Sequence, residues 1–124
     1  MIDFKNPSYL KLGPTDPQGA HDLVNVMLID GETIFAAFKT VRDYVIFTNK
    51  RVIAVNVQGM TGKKKDFTSL PYSKIQAFSV ETAGVLDLDS EMELLFSGLG
   101  KVRFEFKGNF DIRSFNKLIG SYIL

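Results

Sequence analysis

Four carboxylates, Asp87, Asp89, Glu91 and Glu93, fall on alternate positions. A calcium loop opens with such spacing, provided its sixth residue is glycine and its twelfth a glutamate. Counted from Asp87, the sixth residue is Met92 and the twelfth is Gly98, so the alternation reads as the wetted face of a strand. His21 is the single imidazole and there is no cysteine. Those two facts exclude a histidine metal cluster within one chain, cysteine-ligated zinc, disulfides and thiolate nucleophiles. No nucleophile elbow surrounds any serine. No carboxylate is set in an apolar stretch that would raise its pKa for general acid work. The glycines at Gly59-Met60-Thr61-Gly62-Lys63 and Gly98-Leu99-Gly100-Lys101 lack both the spacing and the Ser/Thr after lysine that a phosphate-cradling loop needs. The chain is therefore read as non-catalytic, with no metal and no cofactor.

What remains is binding chemistry. Lys63, Lys64 and Lys65 form the one dense run of cations, expected in a flexible loop between the third and fourth strands. Three adjacent cations contribute on the order of 1 kcal/mol each at an anionic surface, enough for weak membrane association. The whole chain carries 15 basic against 14 acidic residues, a net charge of +1, so it has no bulk field to draw it to nucleic acid. Basic and aromatic residues interleave only at Arg103 and Lys107, where Glu105 offsets them, and no nucleic-acid partner is expected. Tyr9, Tyr72 and Tyr122, each with an apolar body and a polar tip, suit interface edges, and Tyr72 is placed as an anchor for the turn at Pro71.

These residues must be positioned by a fold that 124 residues can complete as a single domain. The domain is read as an irregular segment over 1–14 and a core over 15–124. Asp16 followed by Pro17 is a helix opening, and Ala20, Leu23, Val24, Met27 and Leu28 form one apolar stripe, which predicts a helix over 17–28 ended by Gly31. From Glu32 the period becomes two, predicting strands near 33–40, 43–48, 51–58, 65–70, 75–83, 91–97 and 101–107. Very short links at Val41-Arg42, Asn49-Lys50 and Gly98-Leu99-Gly100 make neighbouring strands antiparallel. A second amphipathic helix begins near Phe110-Asp111 with Asn109 as its expected cap. Its stripe is Ile112, Phe115, Leu118, Ile119, Tyr122 and Ile123. No secretion signal, acylation motif or membrane-length apolar run is present, and the cytoplasm is the expected compartment.

The later strands alternate cleanly, but the first three are apolar on both faces. Leaving a large apolar side chain wet forgoes ~1.5–3 kcal/mol, so something must cover the outer face. Two readings stand side by side: the N-terminal segment covers it, or a second copy does. On the second reading Phe35, Ala37, Val45, Phe47 and Val55 are the candidate interface of a homo-oligomer.

Seven antiparallel strands closed by a C-terminal helix resemble the pleckstrin-homology fold, a mainly β split barrel. The chain resembles in particular the bacterial pleckstrin-homology family. The resemblance is carried by Gly31-Glu32, by the hairpin from Arg42-Asp43-Tyr44 through Thr48-Asn49-Lys50-Arg51 to Val52-Ile53, by Leu70-Pro71-Tyr72-Ser73-Lys74-Ile75, and by Asp111-Ile112. It implies a small non-catalytic module inclined to form symmetric rings of identical subunits, and one that could also bind another protein. Eukaryotic relatives hold phosphoinositide head groups with cations in the loop after the first strand. The corresponding segment here, Lys39-Thr40-Val41-Arg42-Asp43, is too short to wrap such a ring, and Asp43 would repel it. The alternative function is a peripheral membrane or anionic-ligand adaptor using Lys63, Lys64 and Lys65.

Overall fold

A computed structural model describes Lys5 and residues 7–124. The fold is mainly β, with an N-terminal and a C-terminal helix. In chain order the elements are β1 (Ser8–Pro14), α1 (Pro17–Val24), β2 (Ile34–Lys39), β3 (Tyr44–Thr48), β4 (Arg51–Gln58), β5 (Lys64–Pro71), β6 (Ile75–Glu81), β7 (Ser90–Phe96), β8 (Gly100–Phe106) and α2 (Ile112–Ile123). Over the described residues the chain divides into two compact units, one over Pro14–Pro71 and one joining Lys5 and residues 7–13 to Tyr72–Leu124.

In the first unit β2 to β5 form an antiparallel meander, with Ala37 opposite Ile46, Ile46 opposite Ile53, and Val45 opposite Ala54. Residues on alternate positions take opposite faces. One face therefore carries Ala37, Ile46, Ile53 and Val55, and against it pack Ala20 and Val24 of α1, edged by Leu23, Met27 and Leu28. The N-terminal helix covers this face, as the first of the two sequence readings held. Asp16 caps the helix, its Oδ1 accepting from Gln18 N at 3.0 Å. The α-helix ends at Val24, earlier than the predicted 28, and Asn25–Met27 continue as a 3-10 turn. Val24, Asn25 and Val26 are poor helix formers, two by β-branching and one by its competing side-chain amide.

The opposite face carries Phe38, Val45, Phe47, Val52 and Ala54, all 3% exposed or less. Phe47 meets Phe38 edge to face at 5.8 Å and Phe35 at 6.2 Å. This corrects the candidate oligomer interface. Ala37 and Val55 lie under α1 while Val45 and Phe47 lie on the other face, and all four are buried within one chain. Phe35 is half-buried, and an irregularity in register between Ile34 and Ala36 leaves it beside Phe47. The sequence grouping failed because it assumed unbroken alternation through β2 and aligned the strands without their register.

A clasp ties the α1–β2 connection to the β3–β4 hairpin. The Glu32 carboxylate receives Arg51 Nε at 2.9 Å, Arg51 Nη2 at 3.0 Å, Thr48 Oγ1 at 2.7 Å and Ile29 N at 3.1 Å. Arg51 also donates to the Met27 carbonyl at 2.7 Å and to Ser69 Oγ at 2.9 Å. Burial pushes the Glu32 carboxyl up, but the bonds from Arg51, Thr48 and Ile29 outweigh it and hold the group below its usual range. Asn49 completes the junction by accepting from Thr33 N and donating to the Gly31 carbonyl, where φ is +77°.

In the second unit β6, β7 and β8 are antiparallel, and β1 runs parallel to β8 with Ser8 opposite Arg103 and Leu12 opposite Phe106. Two expectations are corrected here: among the described residues there are eight strands, not seven antiparallel ones, and residues 8–14 are not irregular. The cause is a break in period. Lys11 takes φ +57° and the register slips between Tyr9 and Leu12, so the two buried side chains stand three apart and no alternation shows. Tyr9 stacks on Phe104 at 5.8 Å. Helix α2 buries Ile112, Phe115, Ile119 and Gly120, while Leu118 and Tyr122 stay part-exposed at the stripe's edge. Its cap is Asp111, not Asn109: Oδ1 accepts from Ser114 N at 3.1 Å and Oδ2 from Ser114 Oγ at 2.7 Å. Phe110 stacks on Phe106 at 4.6 Å and meets Phe115 at 5.3 Å, closing the helix entry.

Candidate functional site

The densest concentration of unspent binding chemistry lies at two hairpin tips of the first unit. The β2–β3 link closes through Thr40, whose N–H donates to the Asp43 carbonyl at 2.9 Å and whose hydroxyl accepts from Asp43 N at 3.0 Å. The β4–β5 link turns on Gly59 and Gly62, with φ of +77° and +68°. The two links are joined. The Arg42 guanidinium donates to the Gly59 carbonyl, and Asp43 Oδ1 accepts from Val57 N at 2.9 Å.

Fastened this way, the tips leave Val41 and Met60 wholly exposed. Around them stand Lys39, Arg42, Lys63, Lys64 and Lys65, all exposed. Lys64 and Lys65 belong to β5, opposite Gln58 and Val57, so the lysine run is anchored at the start of a strand and is not wholly in the expected loop. Lys65 Nζ donates to the Gly62 carbonyl at 3.1 Å. Asp43, expected to repel an anion, is committed to the Val57 amide and lies within hydrogen-bond reach of Asn56 Nδ2. Sequence reading found the lysines and missed Val41 and Met60. The available signal was an apolar residue inside each turn, where loops ordinarily carry polar ones.

The other residues singled out from sequence have structural partners. Glu91 pairs with Arg103, Glu93 with Lys101 at 2.9 Å, and Asp89 with Lys11. The hydrogen bond from Arg103 holds the Glu91 carboxyl below its usual range, and the one from Lys11 does so for Asp89. Asp87 and Asp89 lie in the β6–β7 loop, so only Glu91 and Glu93 stand on the strand. Among the described residues no cluster of three His, Asp or Glu is arranged to hold a metal. His21 is exposed beside Asp22. Tyr9 and Tyr72 are buried rather than at an edge, and Tyr72 opens the 3-10 turn that follows Pro71. No described helix is long and apolar enough to cross a membrane.

Comparison with known proteins agrees with this architecture. The chain is 44% identical over 118 residues to the uncharacterized protein YjqA of Bacillus subtilis (strain 168), covering 94% of this chain and 90% of that one. The crystal structure of a pleckstrin-homology domain protein from Shewanella loihica superposes with a TM-score of 0.80 at 33% identity, over 94% of this chain and all of that one. A pleckstrin-homology domain from Shewanella amazonensis gives a TM-score of 0.67 at 39% identity, over 89% and 90% of the two chains. With the bacterial PH domain model matching residues 4–123, the chain belongs to the bacterial pleckstrin-homology domain family.

Proposed function

We propose that this protein is a non-catalytic pleckstrin-homology module that docks on anionic membrane surfaces through its paired hairpin tips. The observation that carries the reading is the exposure of Val41 and Met60 at two tips fastened by Arg42, with five cations around them. Apolar side chains held in water forgo ~1.5–3 kcal/mol apiece that burial would return. Lysines near an anionic leaflet add ~1 kcal/mol each. The two contributions suit a surface that is apolar within and negative at its face.

Sedimentation with vesicles containing phosphatidylglycerol, against pure phosphatidylcholine, tests this. Binding should require the anionic lipid and weaken as salt rises, because screening shortens the reach of the lysines. Replacing Lys63, Lys64 and Lys65 by glutamine should abolish it. Equal sedimentation of wild type and variant would sink the proposal.

Self-association has separate support. Strand β6 ends its sheet and pairs with β7 alone among the described strands, and it carries neither Pro nor Lys to blunt that edge. A clean monomer by light scattering at micromolar concentration would remove this second reading.

A further inference from the structure

The only wholly exposed methionine among the described residues is Met60, at the tip of the β4–β5 link. We propose that Met60 is a redox modification site: oxidation of its thioether to the sulfoxide by hydrogen peroxide releases the hairpin tips from an anionic membrane, and reduction restores docking. The inference rests on the membrane-docking reading and adds its regulation.

Accessibility selects the site. The chain has four methionines and no cysteine, so no thiolate competes for the oxidant. Met1 lies outside the described residues. Met92 in β7 is 0% exposed, and Met27 is half-buried where it packs against the core under α1. At Met60 the peroxide meets the sulfur from open water. A sulfur lone pair attacks one peroxide oxygen and the O–O bond breaks. The sulfur is oxidised by two electrons, and the second oxygen leaves, after proton transfer, as water. In the reverse direction a dithiol supplies two electrons and two protons, becomes a disulfide, and the sulfoxide oxygen departs as water.

The modification changes the docking surface and leaves its scaffold alone. The tips are fastened by the Arg42 guanidinium on the Gly59 carbonyl and by the Val57 N–H on Asp43 Oδ1, and the turn depends on the left-handed Gly59 and Gly62. None of these groups is the thioether. Val41 and Met60 are the wholly exposed apolar groups at the two tips, so oxidation takes away one of the pair. A sulfoxide is polar and hydrated where the thioether was flexible and apolar. To enter the apolar part of a membrane it must shed that water without a partner to replace it. Lys63, Lys64 and Lys65 keep their charge, so attraction to the anionic face persists while the contribution of Met60 is lost.

The test treats the full chain with hydrogen peroxide in steps and locates the sulfoxide by peptide mass spectrometry. Sedimentation with phosphatidylglycerol vesicles is measured before treatment, after it, and after repair by dithiothreitol with the two methionine sulfoxide reductases, one for each sulfoxide epimer. Met60 should be oxidised before Met27 and Met92. At that stage binding should be about ten- to hundredfold weaker, with the melting temperature unchanged, and repair should restore it. Met60→Leu, which keeps an apolar side chain without the sulfur, should bind like untreated wild type and stay insensitive to peroxide, which separates Met60 from Met1. Met60→Gln should bind like the oxidised protein. If untreated wild type does not sediment, the docking reading falls and this inference with it. If untreated wild type binds, this inference alone is overturned by any of three results: Met27 or Met92 is oxidised first, the Met60 sulfoxide leaves binding unchanged, or peroxide weakens Met60→Leu as much as wild type.

Discussion

Replacing Arg51 with methionine keeps most of the aliphatic stem and removes the charge from the clasp that joins α1–β2 to the β3–β4 hairpin. Glu32 would then keep Thr48 and Ile29 as donors but lose both bonds from the guanidinium, at 2.9 and 3.0 Å. Its side chain is wholly buried and that of Arg51 is 18% exposed. Breaking one partner out of a buried pair costs ~3–5 kcal/mol, and the partial exposure of Arg51 points to the lower end, about 3 kcal/mol. A domain of this class holds ~5–15 kcal/mol in all, so the variant should fold but melt roughly 10 °C or more below wild type.

The pH dependence identifies the cause. In wild type the folded Glu32 carboxyl titrates below its ordinary value of 4.5, so its contribution is complete above that pH and is lost as pH falls through the folded pKa. Without Arg51, burial dominates and drives the pKa up, so the variant is penalised above 4.5 and relieved by protonation below it. Urea denaturation should therefore show a deficit that is large at pH 7 and shrinks toward pH 4. Adding Glu32→Leu to Arg51→Met should recover much of the loss, since an apolar pair of similar volume is often as stable as the ion pair. A deficit under about 0.5 kcal/mol at pH 7, in the range of ordinary surface changes, or one independent of pH, would refute the assignment.

Phe47→Ala should cost ~3–5 kcal/mol, and like Val45→Glu it should lower stability without altering the solution mass, since both side chains are buried inside one chain; light scattering beside thermal melts checks this. Met60→Asp and Val41→Asp should each reduce sedimentation with phosphatidylglycerol vesicles while leaving the melting temperature unchanged, because both side chains are wholly exposed. Gly120→Ala should stabilise α2 by ~0.5–1 kcal/mol, as the added Cβ would lie 3.7 Å from Phe78 Cζ, an ordinary contact; urea unfolding measures it. Asp111→Ala should lower the melting temperature and Asp111→Asn restore part of it, because Ser114 N and Oγ both donate to this carboxylate.

Periodicity and turn chemistry determined much of the architecture: the change from a helical to an alternating pattern at Glu32, the short links that make the β2–β3, β3–β4 and β7–β8 pairs antiparallel, the opening at Asp16-Pro17, and the amphipathic α2. These are local signals, set by backbone geometry and by which side chains recur on one face. Strand β1 was illegible because the left-handed Lys11 breaks its alternation and because its partner, β8, lies ninety-five residues away in the Ser8–Arg103 pairing. Register was equally hidden. It decided that Ala37 and Val55 lie under α1, and that Val45 and Phe47 face the other way. The lysine run was visible as composition, but the exposure of Val41 and Met60 depends on Arg42 and Asp43 fastening one hairpin tip to another. Ser8 and Arg103 come together only through a parallel pairing between distant segments. A sequence records which groups are present and their local period; which charges are spent on partners and which are left open is settled by long-range pairing.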